Sequence, residues 1–410
     1  MIDAPDAATL VVVATHLRAP EAARRLGVTP ATLYTYVSRG KVSRSLGADG
    51  RTSLFDLDEI EAMAARSSRP TPPPPSIDVR ISTSVTRLDE TGLLYRGIAV
   101  EDLLDAGFER VAELLWSATL PAGPVRWAAL TPSAVAGEHG GDRGEPGART
   151  PTLMSVIRLA TRLAESLEDE RTHHPDGSDR SERGSTIALT RALLATAAGG
   201  TGAPGSTIAL GLARRWSCDP DTDPDAELVR AIDAALVLLA DHELATSTLA
   251  VRVATSVRSS AAASLIAGLA TVQGRLHGSA SRDVVDLLAE AGRDGADAAL
   301  ERRRDRGGTT PGFGHAIYQR RDPRVAPLLE RVRALPDRDG RLEVVEEVLA
   351  ASGSIVAASP NVDLALGALI HVGGMPPTAP LFAIARIAGW TAHRIEELDE
   401  RPLRFRGMAH

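Results

Sequence analysis

Apolar positions recur at helical spacing through most of this chain. From Asp225 to Ala240, and again from Ser247 to Val272, they wrap most of the way round the helix, the pattern of segments buried in the middle of a large bundle. Further helices are predicted over Arg282–Glu290, Leu342–Ala351, Leu364–Val372 and Ala379–Leu398, and one begins near Val100. At the front, Ala19–Leu26 predicts a short amphipathic helix and Gly27-Val28 a turn. Thr29–Ser38 follows as a second helix, with Thr29 as N-cap and Pro30 at its first position. Gly40-Lys41 and Gly47–Thr52 suit a small hairpin or wing, and Asp56–Ile60 starts another helix. The run Arg69–Pro75 cannot continue a helix and reads as a stiff polyproline spacer, so a domain boundary falls there.

Two polar stretches, Glu138–Arg149 and Glu168–Gly184, read as surface loops. The glycine-rich segment Ala198–Ser206 lacks the Gly-Lys-Ser/Thr ending of a phosphate loop and reads as a helix connection.

Composition narrows the class. The 410 residues include 43% hydrophobic but only 3% aromatic side chains, with Ala, Leu and Val dominant, which favours helix packing over sheets. The single cysteine, Cys218, excludes an intramolecular disulfide framework and a multi-thiolate metal site, and suits a reducing cytosol. His173-His174 lacks a partner at helical spacing and is not read as a metal site. No apolar run approaches the roughly 20 residues that cross a bilayer, and Asp3 and Asp6 replace the basic start of a signal peptide. A cytoplasmic protein with no membrane partner is expected.

Net charge is −7, yet Arg18–Arg51 is basic: Arg18, Arg24, Arg25, Arg39, Lys41, Arg44 and Arg51 face only Glu21 and Asp49. Lys41 is the sole lysine, so arginine supplies the other cationic side chains. Helix, glycine turn, helix and a basic wing resemble the small winged helix-turn-helix domains of the MerR and excisionase type. That resemblance implies that Thr29, Thr32, Tyr34, Thr35 and Arg39 face a DNA groove, with Lys41, Arg44 and Arg51 at phosphates. The alternative is a helical interaction or dimerisation module.

The densest chemistry lies in Gly307–Arg324. Glycines and a proline ahead of His315 make a loop whose backbone can approach a ligand, and Ile317-Tyr318 reads as re-entry into packed structure. Arg324, after Asp322-Pro323, offers a planar fork of donors for a carboxylate. Imidazole plus guanidinium is a holder for a small keto acid.

Around this loop, Ala240–Val253 contains Asp-His-Glu-Leu, Gln273–Ala280 contains Leu-His-Gly, and Ser359–Asp363 reads Ser-Pro-Asn-Val-Asp. In that order, with His315 between the last two, these segments resemble the citrate synthase family. The resemblance runs from about Ser76 to the C-terminus. It takes in Ile81–Asp89 as a short hairpin strand and Gly92–Gly97 as the family's Tyr-Arg-Gly turn. It implies an all-α body at 77–410, with large and small helical domains, the small one at roughly 278–375. Ahead of it stand a helix-turn-helix domain at 1–66 and a linker at 67–76. The implied reaction condenses acetyl-CoA with oxaloacetate and water to give citrate and coenzyme A, with no metal and no cofactor.

By the same resemblance Asp363 is the base that removes the methyl proton, and its burial beside Val362 and Leu364 is expected to raise its pKa. His277 stabilises the enol oxygen, and His315 polarises the ketone and protonates the new alkoxide. His242, Arg324, Arg386 and Arg401 hold oxaloacetate, Arg401 being lent across a homodimer interface, and the Thr310-Pro311-Gly312-Phe313-Gly314 loop meets coenzyme A. Read alone, Arg386 and Arg401 would be surface ion-pair residues. The sequence departs from the family at Ala245, Arg275, Gly278–Ser281, Gly307–Pro311 and Ala365-Leu366, which bears on the acyl chain and coenzyme A affinity. Two other readings stay open: a 2-methylcitrate synthase using propionyl-CoA, and a transcriptional regulator whose body senses a metabolite without turnover.

Overall fold

The computed structural model describes residues 16–26, 28–47, 50–57, 59–60, 63, 81–89, 92–128, 152–171, 179–199, 206–216, 222–274, 277–278, 280–305, 310–315, 318, 321–356 and 358–405. The spacer at 67–76, the stretch Glu138–Arg149, His173-His174 and Cys218 lie outside them. The contacts divide the chain into two units, Met1–Arg80 and Ile81–His410.

In the first unit, strand β1 (His16–Arg18) leads into helix α1 (Ala19–Arg25), and α2 (Pro30–Ser38) leads to a hairpin of β2 (Ser45–Leu46) and β3 (Ser53–Asp56). The three strands form an antiparallel sheet in the order β1-β3-β2, with Leu17 opposite Phe55 and Ser45 opposite Leu54. Strand β1 has no counterpart in the hydropathy pattern, because three residues are too few to show alternation. Helices of seven and nine residues are too short to persist alone, and here Ala22, Ala23, Leu33, Phe55 and Ile60 bury them in a shared core. Thr29 caps α2 as expected, its hydroxyl accepting from Thr32 N at 3.3 Å. Tyr34, Arg39, Lys41, Arg44 and Arg51 are exposed, while Thr32 is half-buried with its hydroxyl on that of Thr29.

The second unit opens with a meander of β4 (Thr86–Asp89), β5 (Gly92–Tyr95) and β6 (Ile98–Ala99). After a 3₁₀ turn at Val100–Leu103, α3 begins only at Phe108 and runs to Ser117. Among the described residues twelve further helices follow: α4 (Leu153–Arg171), α5 (Asp179–Ala197), α6 (Ile208–Trp216), α7 (Ala226–Leu239), α8 (Thr246–Ser256), α9 (Ala261–Val272), α10 (Ala280–Asp294), α11 (Ala296–Asp305), α12 (Val325–Arg333), α13 (Arg341–Ile355), α14 (Val362–Val372) and α15 (Leu381–Leu398). Among the described residues no helix is long and apolar enough to cross a membrane.

Two sequence expectations are corrected. The apolar run Ser247–Val272 is two helices, because Arg258 takes a left-handed turn at φ 59° and Ser260 caps a new start by accepting from Ala263 N at 3.2 Å. Much of the polar stretch Glu168–Gly184 is helical, belonging to the end of α4 and the start of α5. Its Glu and Arg are good helix formers, and polarity alone does not distinguish an exposed helix from a loop.

Helices α7, α14 and α15 are buried along most of their lengths, and α15 packs against α7 and α8 while α14 packs against α10 and α12. The Tyr-Arg-Gly turn serves these packings. The buried Tyr95 hydroxyl lies 3.0, 3.3 and 3.1 Å from the carbonyls of Val237, Leu238 and Asp241, at and just beyond the C-terminal end of α7. Arg96 donates to the Leu115 carbonyl of α3.

Candidate active site

The loop that carries His315 is bound edge to edge against the start of α14. Phe313 bridges Pro360, Gly314 N donates to the Ser359 carbonyl at 2.8 Å, and Asn361 N donates to the Gly312 carbonyl at 2.9 Å. Gly312 is required twice over. Its φ of +82° is left-handed, and a Cβ there would stand 2.9 Å from both Leu364 Cβ and Val284 Cγ2. Asn361 ties the two segments further, donating from Nδ2 to the Gly314 carbonyl at 2.6 Å while its Oδ1 caps α14 through Asp363 N at 3.0 Å. This lacing sets His315 beside the first turn of α14, where Asp363 sits.

Asp363 is pushed up to about 6 by burial, against the opposing pull of Arg324 and Arg386. The three imidazoles are driven the other way. Burial, with the nearby arginines, holds His242, His277 and His315 below the usual histidine range, so all three are neutral at physiological pH. His277 Nε2 lies 2.8 Å from the Ser247 hydroxyl, and its ring stands edge-on to Phe382 at 5.9 Å. His315 Nδ1 accepts from Tyr318 N at 3.2 Å, and its Nε2 lies 3.5 Å from Arg324 Nη2. His242 Nε2 lies 3.0 Å from the Tyr318 hydroxyl, and its ring is 5.5 Å from that of His315.

The arginines differ in partnership. Buried Arg324 is held by Asp322, Nε to Oδ1 at 2.9 Å and Nη2 to Oδ2 at 2.8 Å, and Asp322 also accepts from Val362 N of α14 at 2.9 Å. Arg386, on α15, is only 2% exposed, with its guanidinium 4.9 Å from the Phe382 ring centroid. Among the described residues its Nε and Nη1 have no hydrogen-bond partner. The surface role suggested by its residue type alone is therefore wrong. Arg401 is exposed in the turn after α15.

Five of the site residues anticipated from sequence meet in two linked groups, and Arg401 is in neither. His242, His315 and Arg324 converge on Tyr318, and His277 and Arg386 converge on Phe382. Both arginines act on Asp363 and on His242. Gly312 and Phe313 are buried in the loop, whereas Thr310, Pro311 and Gly314 are half-buried. Sequence reasoning missed Tyr318, Asp322, Phe382 and Ser247 as site residues. The Asp322-Pro323-Arg324 spacing was the one available signal, since an aspartate two residues before an arginine can close a fork-to-carboxylate pair. Cavities of about 450 Å³ near Asp233 and about 490 Å³ near Trp216 share no residue with this cluster.

A helical body that sets one carboxylate of raised pKa among neutral imidazoles and buried guanidinium groups is that of an acid–base catalyst for anionic substrates. The model of the citrate synthase C-terminal domain matches residues 78–406. The citrate synthase of Mycolicibacterium smegmatis is 30% identical over 344 residues, covering 78% of this chain and 90% of that one. The 2-methylcitrate synthase 2 of Corynebacterium glutamicum is 29% identical over 362 residues, covering 78% and 89%. Among solved structures, the ternary complex of carboxymethyl coenzyme A and oxaloacetate with the citrate synthase of Thermoplasma acidophilum superposes with a TM-score of 0.61 at 23% identity, covering 81% and 93%. The chain belongs to the citrate synthase family.

Proposed function

We propose that this protein condenses acetyl-CoA with oxaloacetate and water to give citrate and coenzyme A in the cytoplasm, without a cofactor. The observation that carries the reading is Arg386, a buried cation with two donors unpartnered among the described residues, beside neutral His277 and a carboxylate pushed up to about 6. Burying a guanidinium with open donors is costly unless an anion completes it, and a dicarboxylate does so.

In this reading Asp363 takes a methyl proton from the acetyl thioester while His277 donates to the enol oxygen. The enol carbon attacks the ketone of oxaloacetate, and His315 donates a proton to the new alkoxide. Water then cleaves the thioester and releases the thiol. Arg324, Arg386 and His242 hold the two carboxylates, Arg401 completes the site from the other subunit of a two-fold dimer, and Thr310–Gly314 borders coenzyme A.

Thiol release from acetyl-CoA in the presence of oxaloacetate tests the reading directly. Turnover is expected. No release with either acetyl-CoA or propionyl-CoA would overturn it and leave a metabolite sensor. A second reading, 2-methylcitrate synthesis, is consistent with the relatives of that name at 29% to 30% identity, the same as the citrate synthases. One methylene is worth only about 1–3 kcal/mol of discrimination, so a higher kcat/KM for propionyl-CoA would select it.

For the first unit the reading is DNA binding through α2 and the β2–β3 wing. It is supported by the Thr29-capped α2 and by exposed Tyr34, Arg39, Lys41, Arg44 and Arg51. Retention of the full chain on duplex DNA is expected to weaken steeply with salt, and Arg39→Ala is expected to weaken it further. Absence of retention at low salt would leave an interaction module instead.

A further inference from the structure

One side chain in the pocket has no part in the chemistry just described. Tyr318 is half-buried, and burial pushes its phenol up to about 12, so it is a neutral hydroxyl at physiological pH. Each part of it meets a different site residue. The hydroxyl lies 3.0 Å from His242 Nε2. The ring tilts against that of His315 with centroids 4.8 Å apart, and the Arg324 guanidinium stands 5.3 Å from its centroid. Packing alone does not require the oxygen, since phenylalanine has the same ring and almost the same volume. When the hydroxyl gives its one proton to Nε2, the proton of neutral His242 sits on Nδ1.

We propose that Tyr318 is a positioning residue with two separable duties: its hydroxyl fixes the orientation and tautomer of His242, and its ring seats His315 and Arg324. The first duty governs how tightly the keto dicarboxylate is held. The second also governs turnover, because His315 is the group that meets the ketone oxygen. This rests on the roles assigned to His242, His315 and Arg324 above.

Two variants separate the duties. Tyr318→Phe keeps the ring and removes the oxygen, so the KM for oxaloacetate is expected to rise about fivefold, the size of one lost hydrogen bond, with kcat changed less than about twofold. Tyr318→Leu removes the ring as well, and kcat is expected to fall about tenfold below that of Tyr318→Phe. In both, the KM for acetyl-CoA stays within about twofold of the parent. A purely structural tyrosine would lower the melting temperature in both variants without splitting KM from kcat. An unchanged oxaloacetate KM in Tyr318→Phe, or equal kcat values in the two variants, overturns the proposal. Calorimetric titration with oxaloacetate keeps the test independent of turnover. A parent protein that releases no thiol speaks against the reaction, whereas equal oxaloacetate affinity in parent and Tyr318→Phe speaks against Tyr318.

Discussion

Asp363→Ala is expected to lower kcat for thiol release by about 10²- to 10⁴-fold while oxaloacetate still binds. The methyl hydrogen of an acetyl thioester is a poor acid, and no other described carboxylate shares this position. Asp322 is engaged by Arg324 and held well below the ordinary carboxylate range by that pair, despite burial, so it is too weak a base to substitute. Oxaloacetate affinity survives because Arg324, Arg386 and His242 are untouched. The pH dependence has a definite sign. With its carboxyl pushed up to about 6, Asp363 is protonated and useless as a base below that value, so kcat/KM should fall as pH falls through about 6 and level off above it. Steady-state rates across that range, with calorimetric titration of the variant, check both halves. Near-parental turnover in the alanine variant would remove Asp363 from the mechanism.

Gly389→Ala is expected to damage both stability and oxaloacetate use. A Cβ at this position would stand 2.2 Å from Asp241 Oδ1 and 2.5 Å from the Ala240 carbonyl oxygen, while Gly389 N already donates to that carbonyl at 3.0 Å. Alanine gains roughly 1 kcal/mol over glycine in a helix interior. That gain does not rescue the variant, because the atoms in the way cannot yield cheaply. Asp241 Oδ2 is held by the Thr86 hydroxyl at 2.6 Å and by His393 Nε2 at 3.1 Å, and His393 Nδ1 accepts from Arg252 Nε at 3.1 Å. The helix must therefore move away from the Ala240-Asp241 backbone, at a cost of about 1–3 kcal/mol or more beyond the helical gain. Because Arg386 lies one turn earlier on α15 and His242 directly follows Asp241, the same movement separates two residues proposed to hold the dicarboxylate. A melting temperature lower by several degrees and a kcat/KM for oxaloacetate lower by at least tenfold are expected. Parental values of both would show that α15 does not set this spacing.

Local signals in the chain were readable wherever the cause was itself local. Thr29 ahead of Pro30 marked the start of α2, and the apolar pattern placed α7 and α15 within two residues of their observed ends. It failed at Arg258–Ser260, where the break depends on one left-handed residue and one capping hydroxyl that hydrophobic periodicity does not register. At the site, His242, His277, His315, Arg324 and Asp363 were visible because each lies in a short motif of unusual composition. Tyr318 and Phe382 were not, since an aromatic residue after Ile317 or Leu381 looks the same whether it packs in a core or orders three neighbours. Ser247 reads as one more polar residue near a helix start until His277 is found 2.8 Å away.

Alone, the sequence determined the helical class, the Thr29 cap, the basic front and the residue types available for catalysis, since these follow from spacing and side-chain chemistry along a single line. Tertiary structure alone decided that Arg386 is buried, that Ser247 meets His277, and that the Tyr318 hydroxyl meets His242. Those facts concern distances between segments far apart in the chain, and it is such distances, with the water they exclude, that raise one carboxylate and keep three imidazoles neutral.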